Sequence, residues 1–222
     1  METVLILDFG AQYSQLIARR VREQNVYCEV KPCSISPDEI RELAPIGIIL
    51  SGGPQSVYES VSLHVDPALF SLGIPVLGIC YGCQLMAYSL GGTVAAATEA
   101  TAREYGKTLT EFDTESAIFH GLPASSVTWM SHGDYISQVP DGFTVTAKTA
   151  VCPTAAMACP EKKLYGVQFH PEVQHTVQGS EILRRFLYSV CGASGDWTMA
   201  DYRQTAIRSI REKVGSGRAL LA

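Results

Sequence analysis

Cys80 stands between Gly78 and Gly82, at the end of the apolar run Val76-Leu77-Gly78-Ile79 and before the helical stretch Tyr81-Gly82-Cys83-Gln84-Leu85-Met86-Ala87. A nucleophile on a sharp strand-to-helix turn needs small residues two before and two after it. The first amides of the following helix carry partial positive charge, which favours a reactive thiolate. The chemistry offered is attack on an acyl or amide carbon. A partner lies far along the chain in Tyr165-Gly166-Val167-Gln168-Phe169-His170-Pro171-Glu172, read as a second strand that ends in a histidine and a carboxylate. Residues two apart in a strand point the same way, so Glu172 can hold His170 in one tautomer while His170 takes the thiol proton.

Several plainer readings compete. Cys80 is one of seven cysteines, and most free cysteines are small buried hydrophobes. Cys83, three residues on, completes a Cys-x-x-Cys spacing that redox proteins use; packing within the helix accounts for it equally well. His132 is a rival base but has no acid two residues along a strand, which leaves it as a residue shaping its loop. His64, His120 and His175 have still less to recommend them. No Cys/His group has zinc spacing, so no metal is expected. Ser51-Gly52-Gly53-Pro54 follows a strand and can be an ordinary turn. Beside a nucleophile its backbone N–H groups gain another use, because acyl transfer needs donors aimed at the oxyanion. Gly53 and the amide of Tyr81 are the candidates.

Gly-Ile-Cys-Tyr-Gly-Cys-Gln at residues 78–84, taken with Gln-Phe-His-Pro-Glu at 168–172, resembles the triad class (class I) of glutamine amidotransferases. Met130-Ser131-His132-Gly133-Asp134, the run from His170 to Thr176, and Trp197-Thr198 after Cys191 extend the likeness over essentially the whole chain, to the amidotransferase half of the GMP synthetase family. The resemblance implies a flavodoxin-like fold and hydrolysis of L-glutamine by Cys80, His170 and Glu172. It also implies an oxyanion hole at Gly53 and Tyr81, and a glutamine pocket lined by Gln84, Ser131, Gly133 and Asp134. In that family ammonia passes to an ATP-pyrophosphatase synthetase domain or subunit that aminates XMP. The domain itself would need no cofactor, ATP and magnesium would belong to the synthetase part, and the full-length enzyme would be a homodimer in the cytoplasm. A γ-glutamyl peptide hydrolase of the same fold and a non-catalytic binding module of this shape are the alternatives.

The elements that must position these residues are legible in turn. Val4 to Asp8 is an apolar run of the kind a parallel strand buried on both faces shows. Leu16, Ile17 and Val21 recur at helical spacing from Ser14 to Gln24, against a charged face. Tyr27 to Lys31 makes a second strand, and Ser36-Pro37-Asp38-Glu39 is a capping box that opens a short helix to Leu43. Ile46 to Leu50 makes a third. This alternation predicts an α/β fold with an open, mostly parallel sheet, helices on both faces, and chemistry at the carboxyl ends of the strands. Residues 93–160 read as strands and hairpins, an antiparallel extension in which Ser131 to Asp134 form a polar loop after a strand from Val127 to Met130. Gly179 starts a helix that reaches Val190.

The resemblance places the amidotransferase domain at residues 1–192. Residues 193–222 then read as a linker helix, capped by Thr198 with Asp201 and striped by Ala206, Ile207, Ile210 and Val214, leading into a strand, Arg218 to Ala222, that begins an absent synthetase domain. The chain would accordingly be a piece of a longer protein or a natural subunit. Charged residues are only 18% and hydrophobic ones 46%, and the net charge is −5. That composition suits one buried sheet and gives nucleic acid no basic surface. No apolar run approaches the roughly twenty residues of a membrane helix. The odd and scattered cysteines read as reduced thiols.

Overall fold

The computed structural model describes residues 2–97 and 103–220. Strands β1 (Thr3–Asp8), β2 (Tyr27–Pro32), β3 (Gly47–Leu50) and β4 (Val76–Ile79) alternate with helices α1 (Ser14–Glu23), α2 (Pro37–Leu43) and, after β4, α3 (Tyr81–Ser89). Then follow β5 (Thr93–Ala96), β6 (Glu104–Phe112), β7 (Ser125–His132), β8 (Asp134–Gln138), β9 (Thr144–Lys148), β10 (Ala156–Cys159) and β11 (Leu164–Val167). Helix α4 (Gly179–Arg185) continues into a π-helical turn at Phe186–Val190, and α5 (Met199–Val214) comes last.

One sheet has the order β2-β1-β3-β4-β11-β10-β9-β6-β7, and β5 pairs with β8 in a separate ribbon. The strands from β2 to β11 in that order are mutually parallel, and those from β10 to β7 run antiparallel. Strand β11 is the seam, parallel to β4 on one side and antiparallel to β10 on the other. Continuous apolar strands are explained by burial on both faces. Val4 and Ile6 pack with Ile17, Val21, Ile182 and Leu183 of α1 and α4. Leu5 and Leu7 turn to the other face and pack with Ile40, Leu85 and Met86 of α2 and α3.

The expected capping box is formed. Ser36 Oγ accepts from the Glu39 amide at 3.2 Å and Glu39 accepts from the Ser36 amide at 2.9 Å. Thr198 Oγ1 accepts from the Asp201 amide at 3.1 Å at the start of α5.

Three expectations need correction. Residues 131–134 are not a loop: β7 runs through Ser131 and His132, β8 starts at Asp134, and Gly133 alone lies between. Pairing explains this, since Ser131 and His132 are registered with Tyr105 and Glu104 of β6, while Asp134 is registered with Ala96 of β5. The second motif is not strand to its end either, because β11 stops at Val167 and residues 168–172 continue as bends and turn. Finally, residues 218–220 form no strand, and Leu220 is almost fully exposed. Leu221 and Ala222 lie outside the described residues. Among the described residues no helix is long and apolar enough to cross a membrane.

Candidate active site

Cys80 has φ 52° and ψ −107°, outside the regions a side-chain-bearing residue adopts freely. Its neighbours explain how such a turn fits. A Cβ on Gly78 would lie 2.6 Å from the Gly82 carbonyl, and one on Gly82 would lie 2.6 Å from the Leu50 carbonyl oxygen. Strand β4, helix α3 and strand β3 therefore meet at van der Waals limits, as the glycine spacing demanded. The Cys80 amide donates to the Val167 carbonyl at 2.8 Å, so the turn hangs on the last rung between β4 and β11.

That rung brings the two distant motifs together. His170 follows β11, and its backbone is pinned by its amide to Trp129 O at 3.0 Å and by the Thr176 hydroxyl, which donates to His170 O at 2.6 Å. The pairing of His170 Nδ1 with Glu172 Oε1 is 2.7 Å long. Both side chains are buried, Glu172 almost completely. It is a turn, not strand alternation, that sets this contact. Arg20 of α1 anchors the turn by donating to Glu172 O at 2.9 Å, and Tyr13 meets the imidazole edge-on at 5.7 Å. A Cβ on Gly52 would fall within 3.8 Å of both Cys80 Cβ and His170 Cε1, which places Gly52 between the nucleophile and the imidazole.

The charge state of His170 follows from these partners. Burial works against the imidazolium, but hydrogen bonds to Cys80 and Glu172 and the charges of both groups outweigh it, raising the His170 pKa to about 11. The folded value thus exceeds the ordinary 6.5. Its contribution to stability is full below about pH 6.5 and is lost as pH climbs through about 11. In NMR titrations the His170 ring is expected to stay protonated across pH 6–9 in the native protein, and Cys80→Ala is expected to move its midpoint down. A native midpoint near 6.5 would contradict this account.

The cleft beside the sulfur, about 390 Å³, is lined by Gly53, Cys80, Tyr81, Gln84, Ser131, His132, Gly133 and Asp134 among others. Every residue expected for an oxyanion hole or a glutamine pocket is therefore at one place. Gly53 is wedged, since a Cβ there would sit 3.1 Å from the Tyr81 ring and 3.2 Å from Phe9 O. Tyr81 opens α3, and its hydroxyl donates to Leu63 O at 2.6 Å, tying down the segment after Gly53. The Asp134 carboxylate accepts from Tyr58 at 3.0 Å across the mouth of the cleft.

His132 is turned away from the thiol chemistry. Its Nδ1 meets Asp134 O at 2.9 Å, and its Nε2 faces Glu104 Oε2 at 3.5 Å. The acid it lacked along its own strand is supplied across the ladder, from β6. Cys152 joins this buried pair, with ligand-type atoms all within 4.8 Å of one another. Glu104 Oε2 and His132 Nε2 face each other under the β6–β7 ladder without forming a hydrogen bond. Cys83 points its sulfur at Gly166, where a Cβ would come within 2.5 Å. Cys80 and Cys83 are both free thiols, and complete burial pushes the Cys83 thiol well above its usual range, which suits packing and not redox exchange.

Sequence reasoning missed Gln168, Tyr13, Thr176, Tyr58 and Glu104. Gln168 was in view inside the second motif, but only the fold places its amide 3.6 Å from the Cys80 sulfur.

The family model for class-I glutamine amidotransferases matches residues 5–190. The chain belongs to that family. As a class-I amidotransferase it is 53% identical over 221 residues to a GMP synthase [glutamine-hydrolyzing] of Clostridium botulinum, and 55% identical to one of Acetivibrio thermocellus. All of this chain is covered in both, but it spans only 42% and 43% of those relatives' lengths. A solved structure from Thermoplasma acidophilum, described provisionally as one of the subunits of a GMP synthase, superposes with TM-score 0.77 at 31% identity, covering 93% of this chain and 98% of that one. This fold thus occurs in a protein of similar length.

Proposed function

We propose that this domain hydrolyses L-glutamine to glutamate and ammonia, with Cys80 as nucleophile, His170 as acid and base, and Glu172 as its orienting carboxylate. The observation that carries the reading is the 2.7 Å His170–Glu172 contact, with the ring and Cys80, on its strained strand-to-helix turn, flanking Gly52 from either side. The thiolate adds to the side-chain amide carbon, and the new oxyanion faces N–H donors of Gly53 and Tyr81. As the tetrahedral centre collapses, the C–N bond breaks and His170 passes its proton to the departing ammonia. Water then adds to the thioester, giving its proton to His170, and the C–S bond breaks to release glutamate. Gln84, Ser131, Gly133 and Asp134 hold the substrate in the cleft.

The names and lengths of the relatives support a second part to this reading. Ammonia would serve a synthetase domain or subunit that aminates XMP with ATP and magnesium. Residues 193–222 would form the linker to it. Helix α5 suits that role, because none of its residues is buried and Ile210 is 60% exposed.

The test is direct. This chain is incubated with L-glutamine, and glutamate and ammonia are measured with and without the synthetase part of a relative, XMP, ATP and magnesium. Slow hydrolysis alone and faster hydrolysis with the loaded partner are expected. No glutamate under either condition would overturn the glutaminase reading, and equal rates would overturn the coupling.

A further inference from the structure

Beneath Cys80 runs a chain of hydrogen bonds whose direction is set at one end. The carbonyl of Asp134 can only accept. Gln84 Nε2 lies 2.9 Å from that oxygen and 3.0 Å from Gln168 Oε1. Both amide hydrogens of Gln84 are thereby committed, and the Gln168 atom facing them must be its oxygen. The nitrogen of Gln168 is then turned to the nucleophile, with Nε2 at 3.6 Å from Cys80 Sγ. Flipping Gln168 alone would set two N–H groups against each other. Flipping both amides would press the Gln84 oxygen against the Asp134 carbonyl. One backbone oxygen fixes the polarity of both side chains.

We propose that Gln168 is a catalytic residue that donates an N–H to the Cys80 sulfur and holds it as thiolate, with Gln84 as the positioning residue that sets its direction. This rests on Cys80 being the nucleophile. Gln168 is fully buried and Gln84 nearly so, and a donor aimed at an anionic acceptor is stronger away from water. The opposing contact is Ser131 O, which accepts from the Cys80 thiol at 3.8 Å and favours the protonated form. The titratable groups around the sulfur are His170 with Glu172 beyond β11, Cys83 on α3, and His132 and Asp134 at the β7–β8 junction.

The experiment follows alkylation of Cys80 by iodoacetamide against pH, without glutamine, reading the modified peptide by mass spectrometry. Gln168→Leu removes the donor. Gln168→Glu keeps an acceptor for Gln84 but turns an oxygen to the sulfur, so it tests polarity at nearly constant shape. Both are expected to slow alkylation at pH 7 about tenfold or more and to match the native protein above pH 10. Native rates at pH 7 in both variants would overturn the proposal. Where Gln168→Leu does not fold, Gln168→Glu decides alone. In the native protein the Gln168 side-chain amide resonance is also expected to shift as Cys80 ionises, and a resonance that ignores it would overturn the proposal equally. Glutamine hydrolysis is assayed separately. Activity surviving in Cys80→Ala would remove the nucleophile reading, whereas unchanged alkylation in the Gln168 variants removes only this one.

Discussion

Cys80→Ala is expected to lose glutamine hydrolysis by about 10⁴-fold or more, because Cys80 is the one cysteine among the described residues that line the cleft. The fold should survive, since the Cys80 side chain is small and its backbone bonds to Val167 O, Cys83 N and Gln84 N do not involve the sulfur. Cys80→Gly sharpens the comparison. It should be just as inactive, yet the backbone at φ 52° and ψ −107° would be unstrained. Strain of this kind costs about 1–3 kcal/mol, so the glycine variant is expected to melt higher than the alanine variant. Hydrolysis by either variant near the native rate would sink the assignment. A glycine variant melting below the alanine variant would sink the claim that the turn is strained.

The second large effect is expected from Gly78→Ala, a change of one methyl group. That carbon would lie 2.6 Å from the Gly82 carbonyl carbon and oxygen and 2.7 Å from the Cys83 amide nitrogen, all of them backbone. No rotamer change relieves a clash with backbone, so the first turn of α3 must move. Overpacking of this sort costs about 3 kcal/mol, which in a domain of this size lowers the melting temperature by roughly 6–12 °C. Activity should fall further than stability does, as the displaced helix carries Cys80 and the Tyr81 amide with it. Thermal melts and the glutaminase assay on one preparation check both. A variant within about 2 °C of the native protein would refute the close-packing account.

Much of the fold was legible because its signals are local. Buried parallel strands announce themselves as apolar runs, the Ser36–Glu39 box has only one good explanation, and the glycines around Cys80 state a steric need that the close approach of β3, β4 and α3 bears out. What failed depended on pairing partners. Ser131 and His132 look like loop residues because they are polar, but ladder bonds to β6 on one side and the start of β8 on the other keep the chain extended. The His170–Glu172 contact was expected for a reason that the structure replaces, a turn in place of strand alternation. Glu104 was invisible as the acid of His132, since the two meet only across β6 and β7. Gln168 was hidden by its chemistry: an amide has no charge and no motif rule, and its use depends on which end faces the sulfur.

Cys80 and His170 grow from adjacent strands whose last rung is the bond from Cys80 N to Val167 O. Sheet twisting and thermal breathing therefore carry sulfur and imidazole together. A binding partner has little leverage on that pair. Its leverage lies on the rim, where Tyr58 reaches Asp134 through a single exposed hydroxyl contact that can open without breaking any ladder.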